Sequence, residues 1–193
     1  MPWEKNYNEV DVLERAMHAF WARGYEATSM QDLVKATSIN RGSIYAAYTN
    51  KHTLFMQALR HYDKIHRANY LDRISKRHTP KDSILAAFEG ACEPVAGMGN
   101  PSGCLLVNTV LELSPHDAEV RDFVDASLKE VEEFFFSNIE AGKRDGTVTT
   151  AGPSRQTAQA LLGLFLGVRV LTRGNPCKAT MEAITSQARM MLE

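Results

Sequence analysis

Apolar side chains recur at helical spacing along nearly the whole chain. Val10, Leu13, Ala16, Met17 and Phe20 share one face of a buried first helix predicted over 10–22. Met30, Leu33 and Val34 make a short stripe, preceded by Thr28 and Ser29 where an N-cap belongs, with Gln31 and Asp32 in the first turn. Thr37 and Ser38 favour local side-chain-to-backbone bonds over helix and mark a turn, which Ile39 plugs into the core. Asn40 then caps a second short helix opened by Arg41-Gly42-Ser43. Its Ile44 and Ala47 or Tyr48 face inward, while Tyr45 and the polar front end stay outside. Leu54, Phe55, Ala58, Leu59, Tyr62 and Ile65 predict a long helix from 51 to about 70.

The remainder continues as helices. Thr79 and Pro80 suit an N-cap and a first helical position, and a helix is expected over 81–94. Gly97 to Gly103 reads as a loop, and a helix over about 104–113 is stopped by Ser114-Pro115. A long amphipathic helix over 118–141 carries Phe134, Phe135 and Phe136. After a loop over 142–153, two final helices are expected over about 154–171 and 178–192. There is no 20- to 50-residue repeat, no low-complexity stretch and no convincing set of strands. The fold class is all-α: a three-helix N-terminal domain over 1–52, followed by a larger helical domain over 53–193.

Composition narrows the function classes. The hydrophobic content of 44% supports a real core, while no run reaches the ~18 apolar residues of a membrane span. Residues 1–6 lack the apolar core of a signal peptide. Three widely spaced cysteines, Cys92, Cys104 and Cys177, with no CxxC pair, argue against a disulfide scaffold or structural zinc and for a reducing cytoplasm. Residues 1–78 hold 12 Lys/Arg against 8 Asp/Glu, and the rest hold 10 against 15. That asymmetry suits a nucleic-acid reader joined to an acidic body, although charge clusters are usually only solvated faces. No phosphate-binding loop, GxSxG, HExxH or nicotinamide fingerprint is present, so no cofactor and no enzyme activity are expected. His61, His66, His78 and His116 have no metal-ligand spacing.

A short helix, a tight turn and a second short helix opened by small polar and basic residues is the layout of a helix-turn-helix. Its second helix enters the DNA major groove N-terminus first. Phe20-x-x-x-Gly24-Tyr25, Thr28-Ser29-Met30, Leu33-Val34, Ile39 to Tyr45, Tyr48 and Lys51-x-x-Leu54 together resemble the DNA-binding domain of the TetR family of one-component bacterial regulators. One position departs: Ser38 stands where the turn usually has Gly, and a residue with a Cβ is strained at positive φ.

The resemblance implies how DNA is held. Asn40, Arg41 and Ser43 lead the recognition helix toward base edges or nearby phosphates, and Arg41 suits guanine O6 and N7. Thr28 and Ser29 match phosphate contacts at a helix N-terminus. Tyr45, Tyr48 and Lys51 match backbone clamps, although Tyr48 fits the core equally well. The last two helices would pair as a homodimer, with Leu162, Gly163, Leu166, Gly167 and Val170 at the interface. From pattern alone, the same apolar helix could be the centre of a monomer. Two readers would then require a pseudo-palindromic operator.

For the effector, Gly103-Cys104-Leu105-Leu106-Val107-Asn108 resembles a Gly-Cys-Leu-x-x-Asn stretch in a TetR subgroup that includes electrophile-responsive regulators. Cys104 would be the sensor and Asn108 its neighbour, although a free cysteine is more often a small buried hydrophobe. A noncovalent apolar ligand lined by Phe88, Met98, Leu111, Phe134, Phe135 and Phe165 is the other reading, and those residues also serve as ordinary core. Outside transcription regulation stand a helical protein-interaction module and a cysteine-dependent enzyme pairing Cys104 with His116.

Overall fold

Residues 7–92, 103–174 and 176–193 are described by a computed structural model in which these periods become helices. They are α1 (Glu9–Arg23), α2 (Met30–Thr37), α3 (Arg41–Tyr48), α4 (Lys51–Tyr62), α5 (Asn69–Arg77), α6 (Pro80–Cys92), α7 (Leu105–Glu112), α8 (Ala118–Asp145), α9 (Ser154–Leu171) and α10 (Lys178–Met190). No strand occurs among the described residues, and no helix there is long and apolar enough to cross a membrane. A π-helical turn, Asp63–Ala68, joins α4 to α5, so one rod runs from 51 to 77.

The first four helices are started by their own side chains. Asn8, Ser29, Asn40 and Asn50 each accept a backbone N–H at a helix start, a contribution of about 1 kcal/mol apiece. Ser29 and Asp32 form a reciprocal capping box. Ser38 ends α2 with φ 60°, so the position that lacks the usual Gly does adopt the left-handed conformation. Thr49 ends α3 with φ 65° and ψ −51°, and the Asn50 N–H donates to the Tyr48 carbonyl at 2.6 Å. That is a γ-turn, strained for a β-branched residue.

Burial corrects one stripe. Val10 is 57% exposed, and the buried face of α1 is Val12, Ala16, Met17, Phe20 and Trp21. Phe20 meets Phe55 edge-on at 5.1 Å, and Trp21 meets Tyr62 edge-on at 4.7 Å, which ties α1 to α4. This core does not end with the three-helix unit. It continues through α4 into Leu105, Leu106, Val107 and Leu113 of the α7 region and Val120 and Val124 of α8. A second core fills the body between α5, α6, α8, α9 and α10, with Phe88, Phe135 and Phe165 in mutual ring contact.

Candidate functional site

The front of α3 is a rigid, exposed head. The Asn40 Oδ1 accepts the Ser43 N–H at 2.8 Å, which orients the first turn while the Asn40 amide nitrogen stays a donor. Arg41, Gly42, Tyr45 and Ala46 are exposed, and Ser43, Ile44 and Tyr48 are buried. Arg41 lies against Tyr45, its guanidinium 5.5 Å from the ring centre and 3.2 Å from the hydroxyl. Lys51 sits 4.1 Å over the Tyr25 ring, beside this head. The arrangement presents Asn40, Arg41, Tyr45 and Lys51 outward on two short, well-capped helices.

Three residues expected on that surface are placed differently. Thr28 is fully buried, and its hydroxyl donates to the Gly24 carbonyl at 2.6 Å, so its side chain holds the turn instead of facing a phosphate. Tyr48 is 5% exposed and belongs to the core, where burial pushes its phenol pKa up. Ser43 is 7% exposed, tucked beneath the head. Ser29 is exposed, but its hydroxyl is engaged by Asp32 at 2.6 Å. The hydrogen bonds from Ser29 hold the Asp32 carboxyl below the usual range, with Arg23 adding to the effect.

The head is bolted to the body by contacts the sequence does not advertise. Glu112, at the end of α7, accepts the Tyr25 N–H at 3.0 Å and the Glu26 N–H at 2.7 Å. Gly24, with φ 87°, permits this approach, because a Cβ there would stand 2.7 Å from the Glu112 carboxylate. His52 of α4 meets Asp117 of the α8 cap at 2.7 Å. Burial raises the Asp117 pKa, yet the Val120 N–H and His52 outweigh it and the net shift is downward. The Trp21 indole N–H donates to the Gly103 carbonyl at 3.3 Å.

At the other end of α7 lies a partly enclosed cavity of about 30 Å³, room for about one or two water molecules. Cys104, 8% exposed, forms part of its wall and is the N-cap residue of α7. Tyr62 shares that wall, and burial, with Cys104 adding to it, pushes its phenol pKa well up, so it is a neutral phenol. Phe165 also lines the cavity. Phe88 is solid core behind Phe165, and Asn108 is half-buried and not part of the wall. Leu111 is 72% exposed, so it lines no pocket. Phe134 lines a separate open groove of about 310 Å³ outside the cavity. Met98 lies outside the described residues. Cys104 and His116 stand at opposite ends of α7, an eight-residue helix about 12 Å long, so they form no dyad.

On α9, Gly163 and Gly167 have no atom among the described residues within 4 Å of where a Cβ would sit. Leu162 and Leu166 are half-buried and Val170 is 48% exposed, leaving one face of the helix open.

A capped helix-turn-helix with an exposed head, joined by a long rod to a helical body with a cavity, is the build of a DNA-binding regulator. The family model for "Bacterial regulatory proteins, tetR family" matches residues 12–58, and the model for "Tetracyclin repressor-like, C-terminal domain" matches residues 80–188. YezE of Bacillus subtilis, an uncharacterized HTH-type transcriptional regulator, is 29% identical over 142 residues, 74% of this chain and 73% of its own. The HTH-type transcriptional repressor ComR of Escherichia coli is 32% identical over 125 residues, 60% of this chain and 56% of its own. A cysteine mutant of the TetR family regulator CifR, complexed with 26-bp double-strand operator DNA, superposes with a TM-score of 0.84 at 25% identity, covering 97% of both chains. The chain belongs to the TetR family of bacterial regulatory proteins. It is a sequence-specific DNA-binding transcription regulator, and the family is one of regulators, not enzymes.

Proposed function

We propose that the protein is a repressor that binds a pseudo-palindromic operator as a homodimer and releases it when the body cavity is occupied or Cys104 is modified. The observation that carries this reading is α7, which has Cys104 at its N-terminus on the cavity and Glu112 at its C-terminus on the turn behind the DNA-reading head. A shift of α7 of even an ångström moves the Glu112 clamp and with it the seating of α1 and α4. Two heads reading half-sites about one helical turn apart tolerate little change in separation. Asn40 and Arg41 read bases, Tyr45 and Lys51 hold the backbone, and Ser29 contributes a phosphate contact only by turning its hydroxyl away from Asp32. The open α9 face with Leu162, Gly163, Leu166, Gly167 and Val170 is the dimer surface.

For the signal, the small cavity favours modification over an intact bulky ligand. Addition of the Cys104 thiol across an activated carbon–carbon double bond forms an S–C bond and passes the thiol proton to the adjacent carbon. The adduct exceeds the space available, and overpacking of a core costs about 1–3 kcal/mol, enough to bias a two-state body. Selection of bound sequences from random duplex DNA tests the reading. It should return a two-fold symmetric consensus. Enrichment of an asymmetric site or of none would refute the dimeric reader.

A further inference from the structure

We infer that the cavity beside Cys104, extended past Arg67 and Leu71 into the groove beside α8, takes a small apolar carboxylate, with Arg169 of α9 as its counter-ion. This rests on the effector reading only for its consequence at the operator.

Two arginines, Arg67 and Arg169, line the same small space, and no carboxylate among the described residues shares the wall. Arg67 is already neutralised: its Nε and Nη2 both engage Asp63, and Nη2 also bonds Glu130 at 2.7 Å. Arg169 has no such partner among the described residues and rests against the Phe165 ring at 5.2 Å. Arg169 is half-buried, and a guanidinium at the edge of an apolar space is a ready partner for an anion that leaves its hydrocarbon part inside. Its planar fork of donors fits a carboxylate in two-point geometry. Nearby His66 adds no fixed charge, since burial, with His18 next, lowers its pKa. The other walls, including Leu106, Val107 and Leu166, would take the hydrocarbon part of the ligand.

Space is available only by extension. Arg67 and Leu71 line both the cavity and the open groove of about 310 Å³ beside α8, so they form the partition between them. Arg67 is carried on the π-helical turn Asp63–Ala68, and such turns recur at functional sites. A carboxylate on Arg169 would send its apolar part past this partition. That displacement acts on the rod that also carries the base of the DNA-reading head.

The test uses benzoate and its neutral isostere benzamide, titrated into the full-length protein carrying Trp3→Phe. Trp21, whose ring touches Tyr62 and His66, then reports binding. Benzoate should bind at least about tenfold tighter than benzamide, as a charge-assisted contact requires. Arg169→Gln should raise the benzoate Kd by about the same factor and leave benzamide unchanged, and Arg169→Lys should restore part of the preference. Equal affinities, indifference to Arg169→Gln, or no benzoate binding up to about 10 mM would overturn the site. If Arg169→Gln does not fold, the wild-type preference alone decides. Operator binding by the unliganded protein is measured in parallel, so failure of the regulator reading shows itself separately from failure of the anion site.

Discussion

Replacing Glu112 by Ala removes one side chain that holds two backbone N–H groups 86 and 87 residues away in sequence. Hydrogen bonds to a buried carboxylate contribute about 1.5–3 kcal/mol each, and less where water can replace them. Glu26 is exposed and Tyr25 half-buried, so about 2 kcal/mol for the pair is the appropriate scale. For a chain of this size that corresponds to about 4–8 °C in Tm. Glu112→Gln keeps one acceptor oxygen, turns an amide toward the other N–H, and should fall roughly halfway. The functional consequence is more specific than the stability loss. The folded variant should keep its operator affinity without effector but lose much of its response to Cys104 modification, because the lever has lost its far end. Thermal unfolding by circular dichroism and operator titration by fluorescence anisotropy read the two effects. A Tm within about 1 °C of wild type, together with an undiminished response, would refute the clamp.

Four further substitutions have expected outcomes. Arg41→Ala should weaken operator binding by about 1–3 kcal/mol and relax preference at one base position, while Lys51→Ala should weaken all sequences evenly and flatten the salt slope by about 0.9; anisotropy across a salt series separates them. Thr28→Val should cost about 1–2 kcal/mol in urea unfolding, because it deletes a buried hydroxyl bond, yet leave the operator affinity of the folded variant unchanged; weakened operator binding would return Thr28 to the phosphate surface. For His66 the folded pKa is lowered, chiefly by burial, so the unfolded chain binds the proton more readily. Stability from this residue is therefore complete above the unfolded value near 6.5 and is lost as pH falls from there through the folded value. His66→Gln should flatten that part of the urea-unfolding profile between pH 7 and about 5, and an unchanged slope would contradict the assignment.

Helix order and most boundaries were legible because they rest on local chemistry. A cap at Thr28-Ser29, the Asn40 cap and the starts of α6, α8 and α9 all follow from residues within a turn of the boundary. The exposed head formed by Arg41 and Tyr45 was legible for the same reason. What escaped depends on tertiary choice. Val10 and Val12 offer α1 two overlapping apolar faces, and packing of Trp21 on Tyr62 selects the one with Val12. Thr28 and Ser29 are both plausible caps, and only the buried bond to Gly24 shows which one turns inward. Of the three consecutive phenylalanines, Phe135 enters the core while Phe134 and Phe136 stay half-buried, as a helix must distribute them. Tyr62 reads as core and proves to share a cavity wall with Cys104. The π-helical turn, the Glu112 clamp and the Arg169 wall join residues far apart in sequence, or depend on a backbone register with no local signature.

The central claim is that events at Cys104 reach the DNA-reading head through α7. Its most direct test is anisotropy titration of the selected operator with wild-type and Cys104→Ser protein, before and after treatment with an α,β-unsaturated carbonyl compound, with Cys104 modification followed by intact-mass measurement. Operator affinity should fall by about tenfold or more on complete modification of wild type, the effect of about 1.4 kcal/mol of coupling, and stay constant in Cys104→Ser. Undiminished affinity with Cys104 fully modified would contradict the account.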